Sequence, residues 1–344
     1  MALRPLVRRA LTLTTVATGA ATVWALSHNP FAEVYVQRGL EDAQAVIARH
    51  MARTATPERL TFEVEQALAE DDMDRLLIAL DTATDQGVIL PRPLLERALQ
   101  QAQAAESTGR RLSECAVCAW DIAQCRTITQ ITVCALPVEI TPLGDVNALR
   151  RSAMAYGAGN EVDRIETGLA LVGLAATGAV LFTAGGSAAI KAGATALRLA
   201  RRSGRLSPEF AGVLARNSDI VTDARALPAY LAGNVPLDHV ADTAKLARLG
   251  RIAEDMGTVA RNTSPGEAIA LLRHVDSAED AARLARLSTA QGPKTRATLN
   301  MLGKTRAFRA MVRLSDLVLA TLGLLAALLA QLFTLALALL RKAV

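Results

Sequence analysis

The chain has 344 residues, 51% of them hydrophobic, 3% aromatic and 21% charged, with a formal net charge of +5. High apolar content with modest charge excludes an intrinsically disordered chain, and 4 Cys with 22 Gly exclude a disulfide-dense miniprotein and a collagen-like repeat. Length suggests about two folded regions, and a mean hydropathy of +0.25 is high for a soluble protein yet too interrupted by charge for a dense bundle of membrane spans.

Residues 1–32 read as an N-terminal membrane anchor or a signal peptide. The run Ala10–Ala32 holds no Asp, Glu, Lys or Arg and follows Arg4, Arg8 and Arg9. About 20 apolar residues suffice for a helix to cross the hydrocarbon core. Ala25-Leu26-Ser27 offers the small residues a signal peptidase reads. On either reading the next segment is exported.

Residues 33–166 form an acidic segment, with 13 Arg, no Lys and 21 acids, a net charge of −8. Its punctuation is helical. Thr56-Pro57-Glu58 has the order of an N-cap, a first-turn proline and a first-turn acid. Leu76, Leu77 and Leu80 form one face of a second helix that ends near Gly87, and Pro91 and Pro93 open a third. A fourth covers Ser113–Ala135, broken by Pro137, and Asp145 caps a last piece. The acidic run Glu70-Asp71-Asp72-Met73-Asp74 lacks the alternating ligands and central glycine of an EF-hand loop and reads as a solvated turn.

All four cysteines, Cys115, Cys118, Cys125 and Cys134, lie in this acidic segment. In an oxidising compartment an even count reads as a disulfide framework, and three pairings are open. At about 100° per residue the first three share a helical face and Cys134 lies opposite, so at least one bridge crosses a turn or a bent helix. A zinc site would call for separated C-x2-C knuckles or nearby histidines. A redox centre would call for C-x-x-C at a helix start after a strand. The sequence offers neither setting.

Thr167–Ile190 is a second charge-free run, with Gly168, Gly173, Gly178 and Gly185-Gly186, and 167–190 reads as a transmembrane helix in contact with another helix. The alternative is a glycine-rich buried hairpin of a soluble domain. Residues 191–316 form a basic segment, 20 cations against 12 acids, a net charge of +8. Lys191, Arg198, Arg201, Arg202 and Arg205 follow the run directly and read as contacts to anionic lipid headgroups. Nucleic acid is disfavoured, because only Phe210, Tyr230 and Phe308 could stack on bases. Ser207, Ser264 and Ser277 read as N-caps, the second in a capping box, and Gly257 and Gly292-Pro293 as breaks. Residues 239–263 laid over 274–298 share nine identities, a possible 35-residue repeat that pairs His239 with His274. Neither histidine has a ligand at a spacing common to both copies.

Leu317–Leu340 is the third charge-free run and a transmembrane helix, followed by a short exported tail at 341–344. Basic flanks stay in the cytoplasm, and on that rule the N-terminus is inside, 33–166 outside, 191–316 inside and the C-terminus outside. Arginine outnumbers lysine 33 to 5. That bias suggests a GC-rich bacterial genome and makes the outside a periplasm. The expected fold is all-α, an integral membrane protein with about three transmembrane helices and two helical extramembrane segments. No phosphate-binding loop, dinucleotide fingerprint, zinc-protease helix or nucleophile elbow occurs, so no catalytic residue, cofactor or metal is assigned. The expected role is a non-enzymatic inner-membrane interaction or scaffold protein, with a protein partner or self-association. The alternatives are a membrane-permeabilising or transport component, or a membrane-bound enzyme with a periplasmic thiol centre.

Overall fold

The computed structural model describes residues 30–105, 108–180, 186–226, 229–230 and 232–309. Among them there is no β-strand, only an isolated antiparallel bridge between Val221 and Ala241. The chain divides into two units, Met1–Ala48 with Arg309–Val344, and Arg49–Phe308. The runs assigned as first and third spans lie outside the described residues, apart from 30–32.

Caps set the first boundaries. After α1 (Pro30–Thr54), the Thr56 hydroxyl accepts from the Arg59 N–H at 3.3 Å and starts α2 (Pro57–Ala69). Asp72 accepts from the Arg75 N–H at 3.0 Å and starts α3 (Met73–Asp85). Both side chains satisfy a backbone donor that the first helical turn leaves free. With α4 (Arg92–Ala105), these helices close a small core on Val64, Ala67, Leu76, Ala79, Leu94 and Ala98.

The cysteine segment is more broken than its sequence suggests. Helix α5 (Thr108–Trp120) ends in a 3-10 turn, Ile122–Gln124. The chain then re-enters a helical run, α6, built from an α-turn (Ile128–Gln130), a π-turn (Ile131–Ala135) and a further α-turn (Leu136–Glu139). Pro137 sits in the first turn of that last piece, where its missing N–H costs nothing. Helix α7 (Pro142–Gly157) follows with Thr141 at its N-cap, so Asp145 lies inside the first turn and is not the cap.

The second charge-free run is not one helix. Helix α8 (Arg164–Val180) ends inside it, and α9 (Gly186–Arg202) begins before its end and carries on into the basic segment. The two helices pack against each other as a hairpin. Among the described residues no helix is long and apolar enough to cross a membrane. The expected span at 167–190 is corrected for a physical reason: α8 is apolar on all sides because protein surrounds it. Leu169, Ala170, Leu171 and Val172 are all buried, with α7, α9, α10 (Pro208–Ser218) and α11 (Thr243–Asn262) packed around it. A helix surrounded by protein and a helix surrounded by lipid meet the same demand for apolar residues.

Glycines permit the closest approaches. A Cβ on Gly193 of α9 would strike the Ala253 carbonyl of α11, and one on Gly257 of α11 would strike the Ala189 carbonyl of α9. Gly257 is therefore the contact point of two crossing helices, not the break expected from sequence. Helices α12 (Pro265–Leu271), α13 (Ala278–Gln291) and α14 (Thr295–Leu302) complete the body. Asp242 and Ser277, 35 residues apart, cap α11 and α13, and Val240 and Val275 before them are both fully buried. The two copies diverge at Gly257 and Gly292, since only the second ends its helix. Ser264 caps α12, while the Glu267 carboxylate turns away to Arg296 at 3.3 Å.

Candidate functional site

The cysteines brace a hairpin between α5 and α6. Cys115 pairs with Cys134, and Cys118 with Cys125, at Cα separations of 5.3 and 4.6 Å. The bridges are nested, and both cross the turn at 121–127. The inner pair is buried, Cys118 completely. Local capping aims the second arm. The Asp121 carboxylate accepts from the Ala123 N–H, and Thr127 and Gln130 form a full capping box. Gln130 Nε2 donates to Glu114 on α5 at 2.6 Å, and the Ile128 N–H donates to Asp74 on α3 at 2.8 Å. With every cysteine in a bridge, none is a thiolate for zinc or for redox exchange in this state.

Beneath α6 runs a seam of buried charge. Lys191, Arg198 and Arg202 lie 7 and then 4 residues apart on α9, close to one helical stripe. They face the turn that joins α6 to α7. The Lys191 ammonium pairs with Asp145, which has no exposed surface, and also donates to the Thr141 carbonyl at 3.2 Å. Arg198 Nη2 lies 2.9 Å from Asp145 Oδ1, and its fork donates to the Gly144 and Glu139 carbonyls at 3.1 Å each. The Glu139 carbonyl stands at the end of α6, where carbonyls lack partners within the helix, and the Gly144 carbonyl lies in the first turn of α7. Arg202 pairs with Glu139 at 2.7 Å. Gly173 of α8 has room for no side chain because Asp145 fills the space beside it. Burial pulls the Lys191 ammonium down to about 8, with Arg198 adding repulsion and Glu139 opposing. Burial likewise pulls Arg198 to about 10.

The seam corrects two expectations. Lys191 and Arg198, at 8% and 1% exposure, point into the protein and cannot meet lipid headgroups. Arg201 pairs with Asp163 at 3.2 Å, Arg202 with Glu139, and Arg205 donates to the Arg126 carbonyl at 3.2 Å. The second correction concerns sidedness. Residues of the acidic segment 33–166 and the basic segment 191–316 touch within hydrogen-bonding distance inside one compact unit. A hydrocarbon layer of about 30 Å cannot lie between them. Sequence reasoning missed Asp145 and Glu139 as partners. A signal was present in the opposite balances of the two segments, −8 and +8, although the seam itself pairs only Asp145 and Glu139 with Lys191, Arg198 and Arg202.

On the outer side the same elements expose apolar side chains. Leu143, Val146 and Met154 share one face of α7, opposite the buried Asp145, Ala148 and Leu149, and are 71%, 42% and 61% exposed. Val133 and Val138 of α6 are exposed as well. Among the described residues no group of three or more His, Cys, Asp or Glu is placed to hold a metal ion. No family model, no curated protein and no solved structure matches this chain.

Proposed function

We propose that this chain is a membrane-tethered, non-enzymatic interaction protein that holds a single disulfide-braced helical body in an oxidising compartment. The observation that carries the reading is the ion-paired seam between 139–145 and 191–202. It makes residues 49–308 one folded unit, which must lie wholly on the side where the nested cysteine bridges form. The charge-free runs Ala10–Ala32 and Leu317–Leu340 then serve as anchors entering the bilayer from that same side. Their outer flanks, Arg4, Arg8 and Arg9 at one end and Arg341-Lys342 at the other, remain in the cytoplasm. Most of the basic segment lies farther than about 20 residues from either terminal run, where charge has little influence on translocation. The tethered body offers the apolar face of α7 and α6 to a protein partner or to a second copy, as exposed aliphatic clusters do at interaction sites.

A photo-activatable residue placed at Leu143 or Val138 of the membrane-embedded full chain forms discrete cross-linked species on irradiation. The same residue at Ile89, which is 92% exposed on the connection between α3 and α4, forms none. Equal yields at all three positions, or no adduct at Leu143 and Val138, would contradict the interaction role.

A further inference from the structure

A second feature lies between the first core and the α12–α14 end of the body. A polar cavity of about 280 Å3 opens between the α2–α3 turn, the start of α6 and the end of α12. Five arginines line it, Arg75, Arg126, Arg205, Arg273 and Arg296, opposite the acids Glu70, Asp71, Asp72 and Asp74.

The acids are already engaged. Glu70 pairs with Arg75 at 3.0 Å, and Asp71 accepts from the Gln101 amide at 2.5 Å. Asp72 caps α3, and Asp74 accepts from the Ile128 N–H. Most of the arginines are not. Among the described residues no carboxylate forms an ion pair with Arg126, Arg205 or Arg273. Arg205 reaches only the Arg126 carbonyl, and Arg273 only His274 Nε2 at 3.3 Å and Asn300 at 3.5 Å. Arg296 lines the same cavity with a side chain only 8% exposed. Its buried Nε makes no hydrogen bond, although Glu267 Oε2 lies 3.3 Å away. The acids keep their charge, and Asp72 and Asp74 act on Arg273 through space, so five guanidiniums stand against four carboxylates; Arg126, Arg205 and Arg273 are the cations with no carboxylate in ion-pair contact. Burial first, then Arg273 and Lys304, push His274 down to about 4.

We propose that this cavity binds a small phosphate-type oxyanion, held by Arg126, Arg205 and Arg273 with Arg296 behind them. Guanidinium forks present paired donors in a plane that matches two oxygens of such a group. The volume accommodates a phosphate with a short polar body, from either a soluble phosphate ester or a lipid headgroup. Occupancy would tie the start of α6, the ends of α9 and α12, and α14 together through one ligand. The site is independent of how the chain is anchored.

The test is calorimetric titration of the detergent-purified full chain at constant ionic strength. The probes are inorganic phosphate, glycerol phosphate and short-chain phosphatidic acid, with chloride as the reference. Saturable binding of at least one phosphate probe is expected. Arg273→Gln and Arg205→Gln each weaken it about tenfold or more, as for loss of a charge-assisted hydrogen bond. Arg261→Gln, on the exposed side of α11, leaves it unchanged. Preference for glycerol phosphate points to a soluble ester, and preference for the lipid to a headgroup. No saturable binding by protein with a native circular dichroism spectrum and unfolding midpoint, or equal affinity in all three variants, overturns the proposal.

Discussion

Asp145 is the side chain that most depends on its surroundings. It is fully buried between Lys191 and Arg198, which are themselves only 8% and 1% exposed. Removing one member of a buried charge network strands the others, at a cost of about 3–5 kcal/mol. Asp145→Asn is therefore expected to lower the free energy of unfolding by that amount in urea denaturation of the full chain. Arg201→Gln, which breaks the half-exposed pair with Asp163, is expected to cost about 0–1 kcal/mol. Similar losses for the two variants would contradict the seam. At this scale the caps at Thr56, Ser207 and Ser277 were legible in the sequence, because a cap and its helix are neighbours in the chain. Asp145 was not. Its partners lie 46 and 53 positions away, and a polar residue after a proline reads as a cap when only local information is available.

Between elements, the crossing of α9 over α11 depends on two glycines, each meeting backbone of the other helix. Gly193→Ala would place a methyl group inside the Ala253 carbonyl. The helices must separate to admit it, and overpacking of this kind typically costs about 1–3 kcal/mol. The expected result is a lowered thermal midpoint. Gly250→Ala in α11 has open space for the methyl and should hold or raise the midpoint, since alanine favours a helix by about 1 kcal/mol over glycine. Equal effects at the two positions would mean that the helices do not cross there. Composition alone made Gly257 a stop and 167–190 a span. Apolar content and small residues are common to a buried central helix and a membrane helix. What separates the two is the set of helices packed around α8, and that information lies in residues 142–157 and 186–262. The bridging cysteines fared better. Helical phase called for at least one link across a turn or a bent helix, and the bridges span the turn after α5, although sequence left the pairing open among three.

For the whole molecule, the opposite charges of the two halves admit two explanations. A bilayer could hold them apart, or they could attract each other within one body, and the paired seam supports the second. On the proposed reading the basic half lies on the side where the cysteines oxidise, with only the charges beyond the two terminal apolar runs in the cytoplasm. Single reporter cysteines decide between these arrangements, because the native four are silent in their bridges. Gln100→Cys stands exposed in the acidic half and Arg261→Cys in the basic half. With the full chain in intact cells, a membrane-impermeant maleimide is expected to label both positions without lysis. Labelling of Gln100→Cys alone, with Arg261→Cys reacting only after the cells are broken, would contradict a single body on one side of the membrane.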